Sequence, residues 1–150
     1  MEKKIFKRKL YEKMLRWKLE RKGSTALLIK GARRVGKSTL AEEFAKREYE
    51  AYIQIDFAEA PQDVRDLFND ISDLDSLLFQ LQFHYQKRLI PNKSVIIFDE
   101  VQDCPKARQA IRKLVQDGRY DYIETGSLIS IKRNVRSIRI PSEDRKSTRL

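Results

Sequence analysis

The apolar positions of this chain change period several times, and each change marks an element. Leu10, Met14 and Trp17 fall at i, i+4 and i+7, one stripe of an amphipathic helix over residues 3–22 that Gly23 ends, with Arg21 and Lys22 in its last turn. Ala26 to Ile29 is continuously apolar and closes on Lys30, the pattern of a short strand buried on both faces. Helical spacing returns from Lys37 to Lys46, with Leu40 and Phe44 on one face. Tyr52–Asp56 then alternates as a second strand, which Ala60-Pro61 breaks. Two helices are predicted over 62–70 and 73–88, the second with Leu74, Leu77, Leu78, Leu81 and Tyr85 on one stripe. Pro91-Asn92 turns the chain into a third strand, Ser94–Phe98, and a helix over 105–117 stops at Gly118. A fourth strand runs Tyr120–Thr125, and Val135–Ile140 is a candidate fifth.

Strands joined through helices need crossover connections, which make the sheet parallel and put helices on both of its faces. The pattern therefore predicts a three-layer α/β fold with a parallel sheet of about five strands, preceded by an N-terminal amphipathic helix. Ligands of such sheets gather beyond the carboxyl ends of the strands. Gly31, Asp99 and Ser127 each closely follow a predicted strand, so three polar signals are expected at one edge.

The first signal is the segment Gly31-Ala32-Arg33-Arg34-Val35-Gly36-Lys37-Ser38, which has the spacing G-x-x-x-x-G-K-[ST] between strand and helix, a P-loop. Glycines at these points let the backbone turn around phosphate oxygens with its N–H groups inward, reinforced by the amino end of the following helix. Lys37 is expected to set its ammonium on the β and γ phosphates, and Ser38 to offer its hydroxyl to Mg2+. Gly31, Val35, Gly36 and Thr39 complete the candidate nucleotide contacts, with Arg33 and Arg34 meeting nucleotide, partner or solvent. The second signal, Val95-Ile96-Ile97-Phe98-Asp99-Glu100, is an apolar strand closing on two acids, in the manner of a Walker B strand. Asp99 is the candidate magnesium ligand, directly or through water, and Glu100 the group that orients and deprotonates an attacking water. The second acid favours hydrolysis over transfer to a small molecule. Of the two hydroxyls at the end of the fourth strand, Thr125 and Ser127, the latter is the candidate contact to the γ phosphate or the water.

Composition narrows the class. The chain has 150 residues, 41% of them hydrophobic, which suits a single domain, and its longest apolar runs fall far short of the roughly 20 residues of a membrane-spanning helix. The N-terminus lacks the apolar stretch of a secretory signal, so the expected location is the cytoplasm. One cysteine, Cys104, and one histidine, His84, offer neither an internal disulfide nor a zinc cluster and are read as structural; a metal here is oxygen-ligated. Of the net charge of +10, residues 1–22 supply +7, with ten Lys or Arg against three Glu. Such a segment contacts nucleic acid or an acidic partner, or is simply the solvated face over the Leu10-Met14-Trp17 stripe.

Gly-Ala-Arg-Arg-Val-Gly-Lys-Ser-Thr at 31–39, Ile-Phe-Asp-Glu-Val-Gln at 97–102 and Thr-Gly-Ser at 125–127 together resemble the AAA+-type ATPases of bacteria and archaea usually described only as ATP-binding proteins. The likeness extends from the N-terminal helix to about Ile140-Pro141. It implies ATP as the nucleotide, Mg2+ as its ion and a homo-oligomer, and it supplies the adenine preference, for which the chain has no base-reading motif of its own. In that family a long C-terminal part follows the core, often a winged-helix and nuclease-like domain. The expected organisation here is a basic helix at 1–23, a truncated ATPase core at 24–141 whose lid and sensing arginine lie further on, and a tail at 142–150. Asp144 to Leu150 reads as one frame of a common sequencing-library adapter, so the tail is expected to be non-native from about residue 144; without it the net charge is +8. By the same resemblance the fragment should bind nucleotide and hydrolyse it slowly, in step with a conformational change in the missing part.

Three other functions share parts of this pattern. One is a regulator that contacts nucleic acid through the basic helix and Lys132, Arg133, Arg136 and Arg139, with ATP setting its state. A small-molecule kinase shares the P-loop, but the Asp99-Glu100 pair speaks against it. A GTPase would carry Asn-Lys-x-Asp after the fourth strand, whereas Asn92-Lys93 lacks the aspartate and precedes a strand.

Overall fold

The computed structural model describes residues 2–31, 36–127 and 135–140. Five strands, β1 (Ala26–Gly31), β2 (Ala51–Asp56), β3 (Ser94–Asp99), β4 (Asp121–Gly126) and β5 (Val135–Ile140), form one sheet in the order β2-β3-β4-β1-β5. Every neighbouring pair is parallel. The helices are α1 (Glu2–Arg21), α2 (Lys37–Glu48), α3 (Gln62–Asp66), α4 (Leu74–Tyr85) and α5 (Pro105–Asp117). The α/β class, the parallel sheet and the N-terminal helix are as the hydrophobic pattern predicts. Among the described residues no helix is long and apolar enough to cross a membrane. The tail from residue 141, the loop residues 32–35 and Lys132-Arg133 lie outside the described residues.

Alternation along the strands builds the two cores. Leu27, Ile29, Val95, Ile97 and Ile123 pack with Leu10, Met14 and Trp17 of α1 and with Leu40 and Phe44 of α2. Their neighbours Leu28, Ile96, Phe98 and Tyr122 turn to the other face, against Val64 of α3, Leu78 and Leu81 of α4 and Ile111 and Leu114 of α5. Both faces of β1 are thus covered, which is why its sequence is an uninterrupted apolar run. Between α1 and β1 the Trp17 indole N–H donates to the Thr25 carbonyl at 3.0 Å. Gly23 makes the turn at φ +83°, where an added Cβ would come within 3.1 Å of Asp121.

Two helices end earlier than their pattern predicts. Instead of one helix over 62–70, α3 gives way at Leu67 to a single 3-10 turn, because Asp70 accepts the Ser72 N–H at 3.0 Å and draws the chain into a local turn. The predicted helix over 73–88 begins on the Asp73 cap, whose carboxylate accepts the Ser76 N–H at 3.1 Å, and stops at Tyr85. Gln86 adopts a left-handed conformation, and the Gln82 side chain donates to Leu78 O at 3.1 Å while accepting the Leu89 N–H at 2.8 Å. The glutamine thereby secures the chain as it leaves the helix.

Register aligns the carboxyl ends of the strands. Lys30 pairs with Gly126 and Ile29 with Thr125, Phe98 pairs with Glu124, and Asp56 pairs with Asp99. Each of β1, β3 and β4 runs one residue beyond its predicted end, so Gly31, Asp99 and Gly126 belong to the sheet. Parity then decides the face. Asp99 and Thr125 share the side of Val95, Ile97 and Ile123, the side on which α2 begins. Glu124 points to the opposite face, where Arg108 of α5 meets it at 3.5 Å.

Candidate functional site

The site grows from the junction of β1 and α2. Gly36, the residue before the helix, sits at φ 88° and ψ 18°, and an added Cβ would meet nothing within 4 Å, so the backbone conformation alone calls for glycine. Its carbonyl accepts the Leu40 N–H at 2.9 Å and starts the helical ladder. Lys37, the first residue of α2, is only 3% exposed. Its ammonium donates to Gly31 O at 3.1 Å, forms an ion pair with Glu100 Oε2 at 3.3 Å and lies 3.5 Å from Ser127 Oγ. Burial of a lysine is costly unless it is paired, and here the end of β1, the end of β3 and the residue after β4 all supply partners.

One residue on, the Ser38 hydroxyl lies 2.6 and 2.8 Å from the two carboxylate oxygens of Asp99. Asp99 is buried and also accepts a hydrogen bond from the Thr125 hydroxyl. Thr125 Oγ1 in turn accepts the backbone N–H of Glu100 at 3.0 Å, which helps to hold Glu100 in its left-handed conformation at φ 51°. The Glu100 carboxylate receives the Gln102 side-chain N–H at 2.8 Å and has Ser127 Oγ at 3.5 Å. Gln54 of β2 approaches Ser38 O at 3.4 Å. Asp56, the register partner of Asp99, has a carboxyl pushed above the usual carboxylate range by partial burial. The Ala58 N–H opposes that rise, while the charges of Asp99, Glu59 and Glu100 add to it. A cleft of about 500 Å³ runs from Ser38 and Asp99 along β2 past Gln54 and Asp56.

Of the residues singled out by sequence, Gly31, Gly36, Lys37, Ser38, Asp99, Glu100 and Ser127 converge on this edge. Thr39, in the first turn of α2, is exposed, and Arg33, Arg34 and Val35 lie outside the described residues. Thr125 donates to Asp99, and Ser127 stands between Lys37 and Glu100. Gln102 and Gln54 were not apparent from sequence; the signal for Gln102 is its place two residues beyond the acid pair.

The donor set suits a hard cation carried by phosphate. Among the described side chains here, the carboxylates of Asp56, Asp99 and Glu100 stand with the ammonium of Lys37 and, on the wall of the cleft, that of Lys87, and a hydroxyl shares the Asp99 oxygens. No group of three or more His, Cys, Asp or Glu able to hold a metal by itself occurs among the described residues. One hydroxyl and one carboxylate fit Mg2+, which takes few protein ligands and keeps phosphate oxygens and water for the rest.

The family profile described as "AAA domain" matches residues 23–139, from the glycine that ends α1 into β5. The chain belongs to the AAA domain family. It is accordingly a P-loop ATPase domain by family. No curated protein matches the AAA chain. Among solved structures it is similar to one titled "Structure of C. elegans PCH-2", with 16% identity and a TM-score of 0.43 over 86% of this chain. The match covers 38% of that structure's chain, so this AAA domain spans well under half of its length.

Proposed function

We propose that this AAA domain binds ATP with Mg2+ at the carboxyl edge of β1, β3 and β4 and hydrolyses the β–γ phosphoanhydride, in step with a conformational change elsewhere in the protein. The observation that carries the reading is the meeting of the start of α2 with the end of β3 in two pairs, Lys37 with Glu100 at 3.3 Å and Ser38 with Asp99 at 2.6 and 2.8 Å. Ser38 and Asp99 would hold Mg2+, whose chemistry is to neutralise charge on the β and γ oxygens. Lys37 serves the same charge from the protein side. Its ammonium is paired with Glu100 at 3.3 Å; phosphate oxygens would take the place of that carboxylate and leave Glu100 to bind water. Glu100 then accepts a proton as the water oxygen bonds to the γ phosphorus, and the bond to the bridging oxygen breaks with its electron pair leaving on ADP. Ser127 is the proposed contact to the γ phosphate or the water, a reading supported by its 3.5 Å distances to Lys37 and Glu100.

The test is phosphate release from ATP in the presence of magnesium. Glu100→Gln should keep ATP affinity within about threefold and lower turnover by about 10²–10⁴, the range for loss of a general base. Turnover unchanged in Glu100→Gln would remove the hydrolytic role from this residue.

A second reading, an ATP-controlled contact with nucleic acid, rests on α1. Its apolar stripe is buried in the sheet face while Lys7, Arg8, Lys9, Lys13 and Arg16 are exposed. DNA affinity that falls steeply with salt would support it, and no binding at low salt would dispose of it.

A further inference from the structure

Glu100 is held in a backbone conformation that its own side chain disfavours. At φ 51° and ψ 50° it occupies the left-handed region, which a residue with a Cβ keeps only where its surroundings enforce it. The peptide units on either side set the direction of its Cα–Cβ bond, so they also set where the carboxylate stands. Thr125 secures one group of this backbone, accepting the Glu100 N–H at 3.0 Å. The two carbonyls that flank the residue are secured separately. Asp99 O accepts the Phe57 N–H at 2.9 Å, and Glu100 O accepts the Asp103 N–H at 3.0 Å.

Both of these donors lead to one side chain. Arg65, in the last turn of α3, donates from Nη2 to Phe57 O and from Nη1 to Asp103 O at 2.8 Å, while its Nε–H reaches Ala60 O at 3.2 Å. The bonds to Phe57 and Ala60 are local, and alone they would only close the loop between β2 and α3. The bond to Asp103 spans 38 residues and ties that loop to the 3-10 turn Val101–Asp103, which follows Glu100 directly. In the same turn Gln102 donates its side-chain N–H to Glu100 Oε1 at 2.8 Å. The guanidinium thus stands at the head of two short relays, one through Phe57 to Asp99 O and one through Asp103 to Glu100 O. Its donors form a rigid planar fork, which is what lets one side chain serve carbonyls of two separate loops at once.

We infer that Arg65 is a positioning residue for hydrolysis: it fixes the peptide units on both sides of Glu100, and with them the place of the carboxylate that takes a proton from the attacking water. The inference rests on the reading of Glu100 as that base. Its three bonds go to loop carbonyls, none of them in the Lys37-Ser38 segment. The loss of Arg65 is therefore felt in turnover and not in nucleotide affinity.

Arg65→Met, which keeps a long stem and removes the fork, tests this with Arg65→Lys beside it. Amide hydrogen exchange at Phe57 and Asp103 should quicken about tenfold in Arg65→Met, while the Ile97 N–H in the buried middle of β3 stays unchanged and shows that the fold is intact. With ATP and magnesium, turnover should fall about ten- to a hundredfold as ATP affinity stays within about threefold of wild type. Arg65→Lys keeps charge and stem but has no fork, and should lose about three- to tenfold in turnover. In a Glu100→Gln background the further change from Arg65→Met should be less than about twofold, because a residue that acts through Glu100 then has nothing left to position. Unchanged turnover in Arg65→Met, unchanged exchange at both amides, affinity that falls as much as turnover, or a full further loss in the Glu100→Gln background would each overturn the inference. A wild type that does not hydrolyse ATP would instead remove the reading of Glu100 itself, and this inference with it.

Discussion

Lys37 shows how far single residues were legible in the chain. The spacing that singles out Lys37 and Ser38 is local, and so is the acid pair closing an apolar run, so four residues of the candidate site follow from short segments. Which hydroxyl after β4 meets which carboxylate is different, since it depends on strand register and parity, which no local segment carries. Ser127 was the sequence choice for the γ phosphate or the water, a role on which the bond from Thr125 to Asp99 does not bear; Ser127 itself lies 3.5 Å from both Lys37 and Glu100. Glu124, a buried acid in an apolar strand, likewise makes sense only once Arg108 is seen beneath it. Thr125 carries a prediction at this scale. Thr125→Val removes a donor from buried Asp99 and an acceptor from the Glu100 N–H, and should destabilise the fold by about 1–3 kcal/mol in urea denaturation, with Thr125→Ser recovering most of it. Equal stability of the valine and serine variants would show that the hydroxyl contributes little.

At the scale of elements, hydrophobic period located all five strands and the main helices, and errors collected at their ends. Helix ends depend on side-chain bonds such as Asp70 to Ser72 and Gln82 to Leu89, which compete with the helical ladder but do not alter the apolar stripe. Strand ends were read one residue short because Asp99 and Gly126 are polar or small, although the sheet continues through them. The β1–α2 junction gives the sharpest test of an element. Gly36→Ala meets no steric obstacle at Cβ but must hold alanine at φ +88°, so a loss of about 1–2 kcal/mol is expected in denaturant titration, with weakened nucleotide affinity alongside. If stability and affinity both stay at wild-type values, the left-handed turn is not what the glycine provides.

For the molecule as a whole, the parallel three-layer arrangement was legible and the strand order was not, because periodicity says which residues are buried and nothing of which strand lies beside which. Order and register are nevertheless what put the ends of β1, β3 and β4 in line. Tyrosines packed around the sheet make a further whole-molecule prediction. Burial, with Glu48 as hydrogen-bond partner and nearby charge, pushes the Tyr11 hydroxyl up to about 12; burial and Asp121 raise Tyr49, and burial raises Tyr122. Phenols that resist ionisation more in the folded than in the unfolded chain contribute stability that is full below pH 10 and is lost as pH rises above it. Thermal unfolding should therefore shift downward between about pH 10 and 12, less so in Tyr11→Phe; the same loss in that variant would remove Tyr11 from the account. The most direct test of the central claim is calorimetric titration of the chain with ATP and magnesium, set beside Lys37→Ala. The account predicts one ATP per chain, dependent on magnesium, and an affinity at least about a hundredfold weaker in Lys37→Ala. Wild-type binding that survives in Lys37→Ala, or no binding of ATP to the wild type at all, would contradict it.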